Sequence, residues 1–225
     1  MADWKASFLA SDLAAVNQAV KEAEGVTSAE IVPVIARSSG RYDRPEDTIG
    51  VWTGVVLMCV VWMVLPAEET GLGSWSETHP LWHLAALIVA MLFGFLAGAF
   101  LGSRCDWLTA LFTPRQQMLD EVRRRSQAVF YDSRVHHTAG STGILLYVSL
   151  MERMAAVLAD EVVLQKLGQA RIDLLCRDFT RRLHNSSPTK ALCETTRELG
   201  EALHPVLPRD AADVNELPDA LRLLD

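Results

Sequence analysis

Polar and apolar residues alternate in short rhythms over most of this chain, but at two places the polar ones disappear. Residues 48–65 (TIGVWTGVVLMCVVWMVL) and 81–102 (LWHLAALIVAMLFGFLAGAFLG) hold no Lys, Arg, Asp or Glu. A bilayer core of about 30 Å takes about 20 apolar residues at 1.5 Å rise each. Lipid offers the backbone no hydrogen-bond partner, so each run must be a helix. The pattern predicts a transmembrane hairpin over 48–102, with spans 48–65 and 81–102 and an external loop 66–80.

Elsewhere the rhythm is that of an ordinary domain. Leu9, Leu13, Val16 and Val20 recur at helical spacing, and Gly25 is a natural stop. Glu30-Ile31-Val32-Pro33-Val34-Ile35-Ala36 reads as a strand buried on both faces, with Pro33 favouring an edge or a ladder irregularity. Thr113-Pro114-Arg115-Gln116 opens a helix to about Ser133, with Leu119, Val122 and Val129 on its inner face. A β-hairpin follows, 144–150 and 154–159, turning at Met151-Glu152-Arg153. A long amphipathic helix is expected over 163–183, and Ser187-Pro188 opens a last one that ends near His204.

The hairpin returns the chain to its starting side, so the first strand can pair with the later ones. The expected fold is therefore α/β: a small mixed sheet flanked by helices, with a two-helix transmembrane hairpin inserted. The 31–36 strand should run parallel to 144–150, and the third strand should turn back antiparallel. Residues 1–47 form the first part of the domain and 103–206 the second, with 207–225 a loosely docked C-terminal tail.

Charge sets the orientation. Arg37, Arg41 and Arg44 precede the hairpin, and Arg104, Arg115, Arg123, Arg124 and Arg125 follow it. The 66–80 loop has Glu68, Glu69 and Glu77 and no Lys or Arg. Arginine-rich flanks stay cytoplasmic, which puts both termini in the cytoplasm of a multi-pass protein of a cell (inner) membrane. Trp52, Trp62, Trp75, Trp82 and Trp107 lie near the span ends, where their rings suit the headgroup level. Residues 1–30 lack the apolar core of a signal peptide, so no cleaved leader is expected. The net charge of −7 over 225 residues argues against nucleic acid as a partner. The four cysteines, Cys59, Cys105, Cys176 and Cys193, form no CxxC pair and are expected as reduced thiols.

Small residues recur every fourth position in both spans: Gly50 and Gly54, then Gly94, Gly98 and Gly102. This spacing lets helix backbones approach closely. It serves packing within the hairpin or, alternatively, a homo-oligomer. Adjacent histidines at 136 and 137 make a poor chelate on an extended chain.

Several stretches together resemble the TPM domain family. They are Thr27-Ser28-Ala29-Glu30-Ile31-Val32-Pro33-Val34, Thr142-Gly143-Ile144-Leu145-Leu146-Tyr147-Val148-Ser149-Leu150, and Glu152-Arg153 followed by Val157-Leu158-Ala159-Asp160. The resemblance covers residues 9–206 as an order of motifs, and it looks like the branch with a membrane hairpin after the first strand. It implies an α/β sandwich, in some members with phosphatase activity and in others with bound calcium. A metal-assisted phosphatase needs clustered carboxylates. Strand direction puts Glu30, Asp160 and Glu161 at one end of the sheet as candidate Ca or Mg ligands, with Asp43 and Glu152 towards the other. The segment 160–165 lacks the glycines of calcium-binding relatives. Two readings result: a membrane-anchored interaction or assembly module whose partners are the lipid bilayer and another membrane protein, and a divalent-metal-assisted phosphatase.

Overall fold

The structure, a computed structural model, describes residues 4–40, 43–65, 81–104, 111–138, 140–210, 216–217 and 220–224. The expected loop 66–80 with Trp75 and its glutamates, as well as Arg41, Cys105 and Trp107, lies outside the described residues, as do the side chains of Asp43 and Arg44.

The chain divides into two compact units, residues 1–40 with 115–225 and residues 41–114. The first is a mixed α/β domain. Its helices are α1 (Ala10–Glu24), α4 (Arg115–Asp132), α5 (Glu161–Leu167), α6 (Gln169–Asn185) and α7 (Pro188–Leu203). Its strands are β1 (Glu30–Ala36), β2 (Gly143–Ser149), β3 (Met154–Ala159) and β4 (Arg222–Leu224). The second holds α2 (Asp43–Val64) and α3 (Leu81–Arg104).

The sheet has four strands in the order β3-β2-β1-β4. β1 runs parallel to β2, with Glu30 opposite Gly143 and Ala36 opposite Ser149, and β3 folds back antiparallel. Every residue of β1 and β2 is buried, as a strand covered on both faces requires. Ile31, Ile35, Ile144, Leu146 and Val148 enter a core completed by Val16 and Val20 of α1, Phe179 of α6, and Leu192 and Leu199 of α7. Val32, Val34, Leu145 and Tyr147 alternate to the other face, on the side of α4.

The tail, expected to dock loosely, supplies β4. It pairs in parallel with Val34, Ile35 and Ala36, and Arg37 N–H donates to the Leu224 carbonyl at 3.0 Å. This edge explains Pro33. In a parallel ladder, alternate residues bond to opposite neighbours. Glu30 N–H and the Ala36 carbonyl bond on the β2 side, so 31, 33, 35 and 37 face β4. The Ile31 N–H is capped by the Glu24 carboxylate at 2.8 Å. Proline stands at the next outward position, beyond the reach of β4, where no donor is needed.

Three details differ from the periodicity. The helix expected over 163–183 breaks at Gly168, whose φ of +81° only glycine adopts cheaply. Leu9 sits at the α1 N-cap, 66% exposed, because the cap precedes the helix's buried stripe. Leu119 is 46% exposed: α4 buries Met118, Val122, Ser126, Val129 and Phe130 instead.

In the second unit, residues 47–64 (mean hydropathy 1.8) and 81–104 (mean hydropathy 2.6) are helices long and apolar enough to cross a membrane. They pack on each other through their small residues. A Cβ on Gly94 would come within 2.7 Å of the Gly54 Cα, and one on Gly98 within 3.0 Å of the Gly50 Cα. Gly102 is also buried. The large side chains face outward, with Trp62 at 70% and Phe93 at 67% exposure.

Candidate functional site

The two ends of β1 carry the domain's buried acids. At its start Glu30 is 6% exposed. Its carboxylate accepts the N–H groups of Glu216 and Leu217, each at 3.3 Å. The C-terminal segment is thereby strapped across this end of the sheet. It is also fastened where Thr27 donates its hydroxyl to the Leu207 carbonyl at 2.6 Å and where Asp210 N–H reaches Ser28 Oγ at 2.9 Å. Beside the strap lies a cavity of about 520 Å³ lined by Arg134, His137, Glu216 and Leu217.

Asp160 follows β3 and reaches the same end, its N–H donating to the Gly143 carbonyl at 2.9 Å. It is the N-cap of α5, accepting the Glu161 N–H at 2.8 Å, and its Oδ2 is buried without a hydrogen-bond partner. Glu161 Oε1 accepts from Gln165 Nε2 at 3.0 Å, one turn along the helix. The strand directions thus bring Glu30 and Asp160 to one end, as expected. Calcium asks for six or more oxygens in a common cage. Among the described residues, no three His, Cys, Asp or Glu side chains are gathered to hold a metal ion. Glu30, Asp160 and Glu161 serve the tail, a helix cap and a helix turn, and as placed they do not fit a Ca or Mg site.

Gly143 gives the Thr-Gly opening of β2 its physical reason. A Cβ there would lie 1.9 Å from the Val135 carbonyl oxygen, so only glycine lets the 134–137 segment pack against the strand. That segment also carries the two adjacent histidines. They lie in a 3-10 turn, Val135–His137, after an Arg134 with φ of 55°, and their ring centroids are 4.5 Å apart. His137 lines the cavity, while His136 Nδ1 is buried without a partner.

The opposite end of β1 holds a network that sequence reasoning missed apart from Glu152. Ser39 N–H donates to Glu152 Oε1 at 2.8 Å. Ser39 Oγ donates to Ser149 Oγ at 2.7 Å, and Ser149 Oγ donates to Glu152 Oε2. Tyr147 OH lies 2.9 Å from Ser39 Oγ. Ser39 has one hydroxyl proton, already directed at Ser149, so the phenol donates. A chain of donors runs from Tyr147 through two serines to a carboxylate that is 7% exposed. It ties the residues just after β1 to the β2–β3 turn. Hydrogen bonds to a charged acceptor contribute about 1.5–3 kcal/mol. Burial pushes the Tyr147 phenol above its ordinary value, opposed by its bond to Ser39 and reinforced by the charge of Glu152. The available signal was a tyrosine inside a fully buried strand, whose hydroxyl needs a partner.

Cys176 and Cys193 are free thiols, both pushed up mainly by burial and so poorly nucleophilic.

The chain matches no family model and no curated protein sequence. Among solved structures it is similar to the NMR structure of BA42 protein from the psychrophilic bacteria Bizionia argentinensis sp. nov.. The TM-score is 0.56 at 14% identity, over 96% of this chain and 94% of that one. At that identity the likeness speaks to the fold alone.

Proposed function

We propose that this chain is a membrane-anchored TPM-like protein, an interaction or assembly module held at the cytoplasmic face of a cell membrane, with another membrane protein as its partner. The observation that carries the reading is the burial pattern of the hairpin: glycines inside, large apolar side chains outside. Such a surface is costly in water and at home in acyl chains. The arginines flanking the hairpin favour cytoplasmic termini. The interaction role draws its support from the acids at both ends of β1, which are engaged in internal hydrogen bonds.

The test is purification of the full chain from membranes in mild detergent. A second membrane protein should co-elute in a fixed ratio, and the purified chain should not hydrolyse phosphate esters with calcium or magnesium. Metal-dependent turnover that both Glu30→Gln and Asp160→Asn remove would replace this reading with the phosphatase one. In intact cells, a membrane-impermeant thiol reagent that labels Arg37→Cys from outside would overturn the orientation.

A further inference from the structure

The sheet ends on β4 at one side and on β3 at the other. The sequence of β3, Met154-Ala155-Ala156-Val157-Leu158-Ala159, has no charged residue and no proline, and its register with β2 is unbroken. Charges, prolines and bulges are what usually keep an edge strand from accepting another. Helices α4 and α6 pack against β3, yet residues 156–159 keep partial exposure. Asp160 N–H bonds to the Gly143 carbonyl, so 154, 156, 158 and 160 face β2. The N–H and C=O groups of Ala155, Val157 and Ala159 therefore point away from the sheet. Among the described residues only Cys176 meets them. Its thiol donates to the Ala155 carbonyl at 3.4 Å and its sulfur lies against the Val157 N–H. A thiol is a weak donor and a weak acceptor, and the Ala159 backbone has no outward partner among the described residues.

We propose that β3 is the edge through which two copies of this chain join, their β3 strands antiparallel about a two-fold axis at Val157. The occupant is a second copy because the edge is complementary to itself. With Val157 opposite Val157, Ala155 of one copy faces Ala159 of the other, small against small. All three are outward positions, so each such pair exchanges two backbone hydrogen bonds. The same register sets Arg153, just before the strand, against Glu161, just after it, in both directions. Both side chains are exposed, and neither has an ion-pair partner among the described residues. The pairing thus brings opposite charges together at its two ends and no like charges between them. The thiol contacts of Cys176 give way to backbone bonds, which are the stronger.

The test uses the full chain in mild detergent over a range of protein concentrations, with mass read by light scattering and the β3 amides by hydrogen exchange. The chain should form a dimer in which the Ala155, Val157 and Ala159 amides exchange more slowly than in the monomer. The Ala156 and Leu158 amides, already bonded to β2, should change little. Arg153→Glu and Glu161→Arg should each weaken the dimer about tenfold, and the two together should restore it. Ala159→Pro, which removes an outward N–H and leaves the β2 ladder whole, should abolish it. A chain that stays monomeric throughout overturns the inference, even where a different protein adds to the edge. So does a dimer that all of these variants leave unchanged, because it is held through another surface. The membrane reading stands or falls separately, since none of these variants touches the hairpin.

Discussion

The two units place the same residue types in opposite positions. In the α/β domain Phe179, Ile144 and Leu146 are fully buried. In the hairpin Phe93 and Leu96 are two-thirds exposed, while Gly54, Gly94 and Gly98 occupy the contact. One interior is filled by the expulsion of large side chains from water. The other is made by removing side chains so that two backbones can touch. Hydrophobicity alone therefore says little about where a residue goes in this chain. Between these two helices the size of the side chain decides it.

That contrast can be broken most sharply with two phenylalanines. Phe179→Ala should destabilise the domain by about 3–5 kcal/mol, the usual cost of emptying an aromatic core site. Phe93→Ala should cost the hairpin less than about 1 kcal/mol, since no packed neighbourhood is lost. Denaturant midpoints of the detergent-solubilised chain, read by protease resistance of each unit, would show it, and equal losses at the two sites would contradict the inverted arrangement. A smaller effect sharpens it from the other direction. Any Cβ at position 54 would come within 2.8 Å of the Met91 carbonyl oxygen. Gly54→Val should cost about 1–3 kcal/mol by overpacking, seen as loss of cross-linking between cysteines placed across the α2–α3 contact. Wild-type cross-linking would show that the glycines do not set the helix approach.

The smallest effect belongs to the domain alone. Because burial raises the Tyr147 pKa, the folded state holds the phenol proton more tightly than the unfolded chain does. Its contribution is fully present below the unfolded value, about 10, and is lost as pH rises through the folded value. Stability of the domain should therefore fall on the alkaline side, and Tyr147→Phe should remove that part of the fall. Cys176 and Cys193, also raised by burial, should keep an earlier decline near the thiol range in the variant. An unchanged alkaline profile in Tyr147→Phe would mean that the phenol is not held neutral by the fold.

Much of this architecture is written in local pattern. The three long strands, their parallel and antiparallel senses and the two apolar helices follow from runs of residues that each carry their own period. The common end shared by Glu30 and Asp160 follows from strand direction. What Glu30 bonds to does not follow, because its N–H donors come from residues 216 and 217, far along the chain. β4 was hidden for the same reason: three residues carry no period, and Arg222–Leu224 is a strand only because β1 offers an edge. The Ser39–Tyr147–Ser149–Glu152 network also joins segments more than 100 residues apart. The break at Gly168 was hidden by apolar spacing that continues across it, and the outward Leu119 by a periodicity one residue out of phase with the buried stripe.

The finish of the β1 edge has a consequence for how such molecules crowd together. An open strand edge is a template on which another chain can add. Here Glu24 occupies the donor at Ile31, Pro33 has none to give, and β4 covers the stretch to Arg37. Among the described residues, β1 itself keeps no row of free N–H groups on that side. A second chain cannot then add strand to strand along β1, and the three residues of β4 are what the sheet presents on that side.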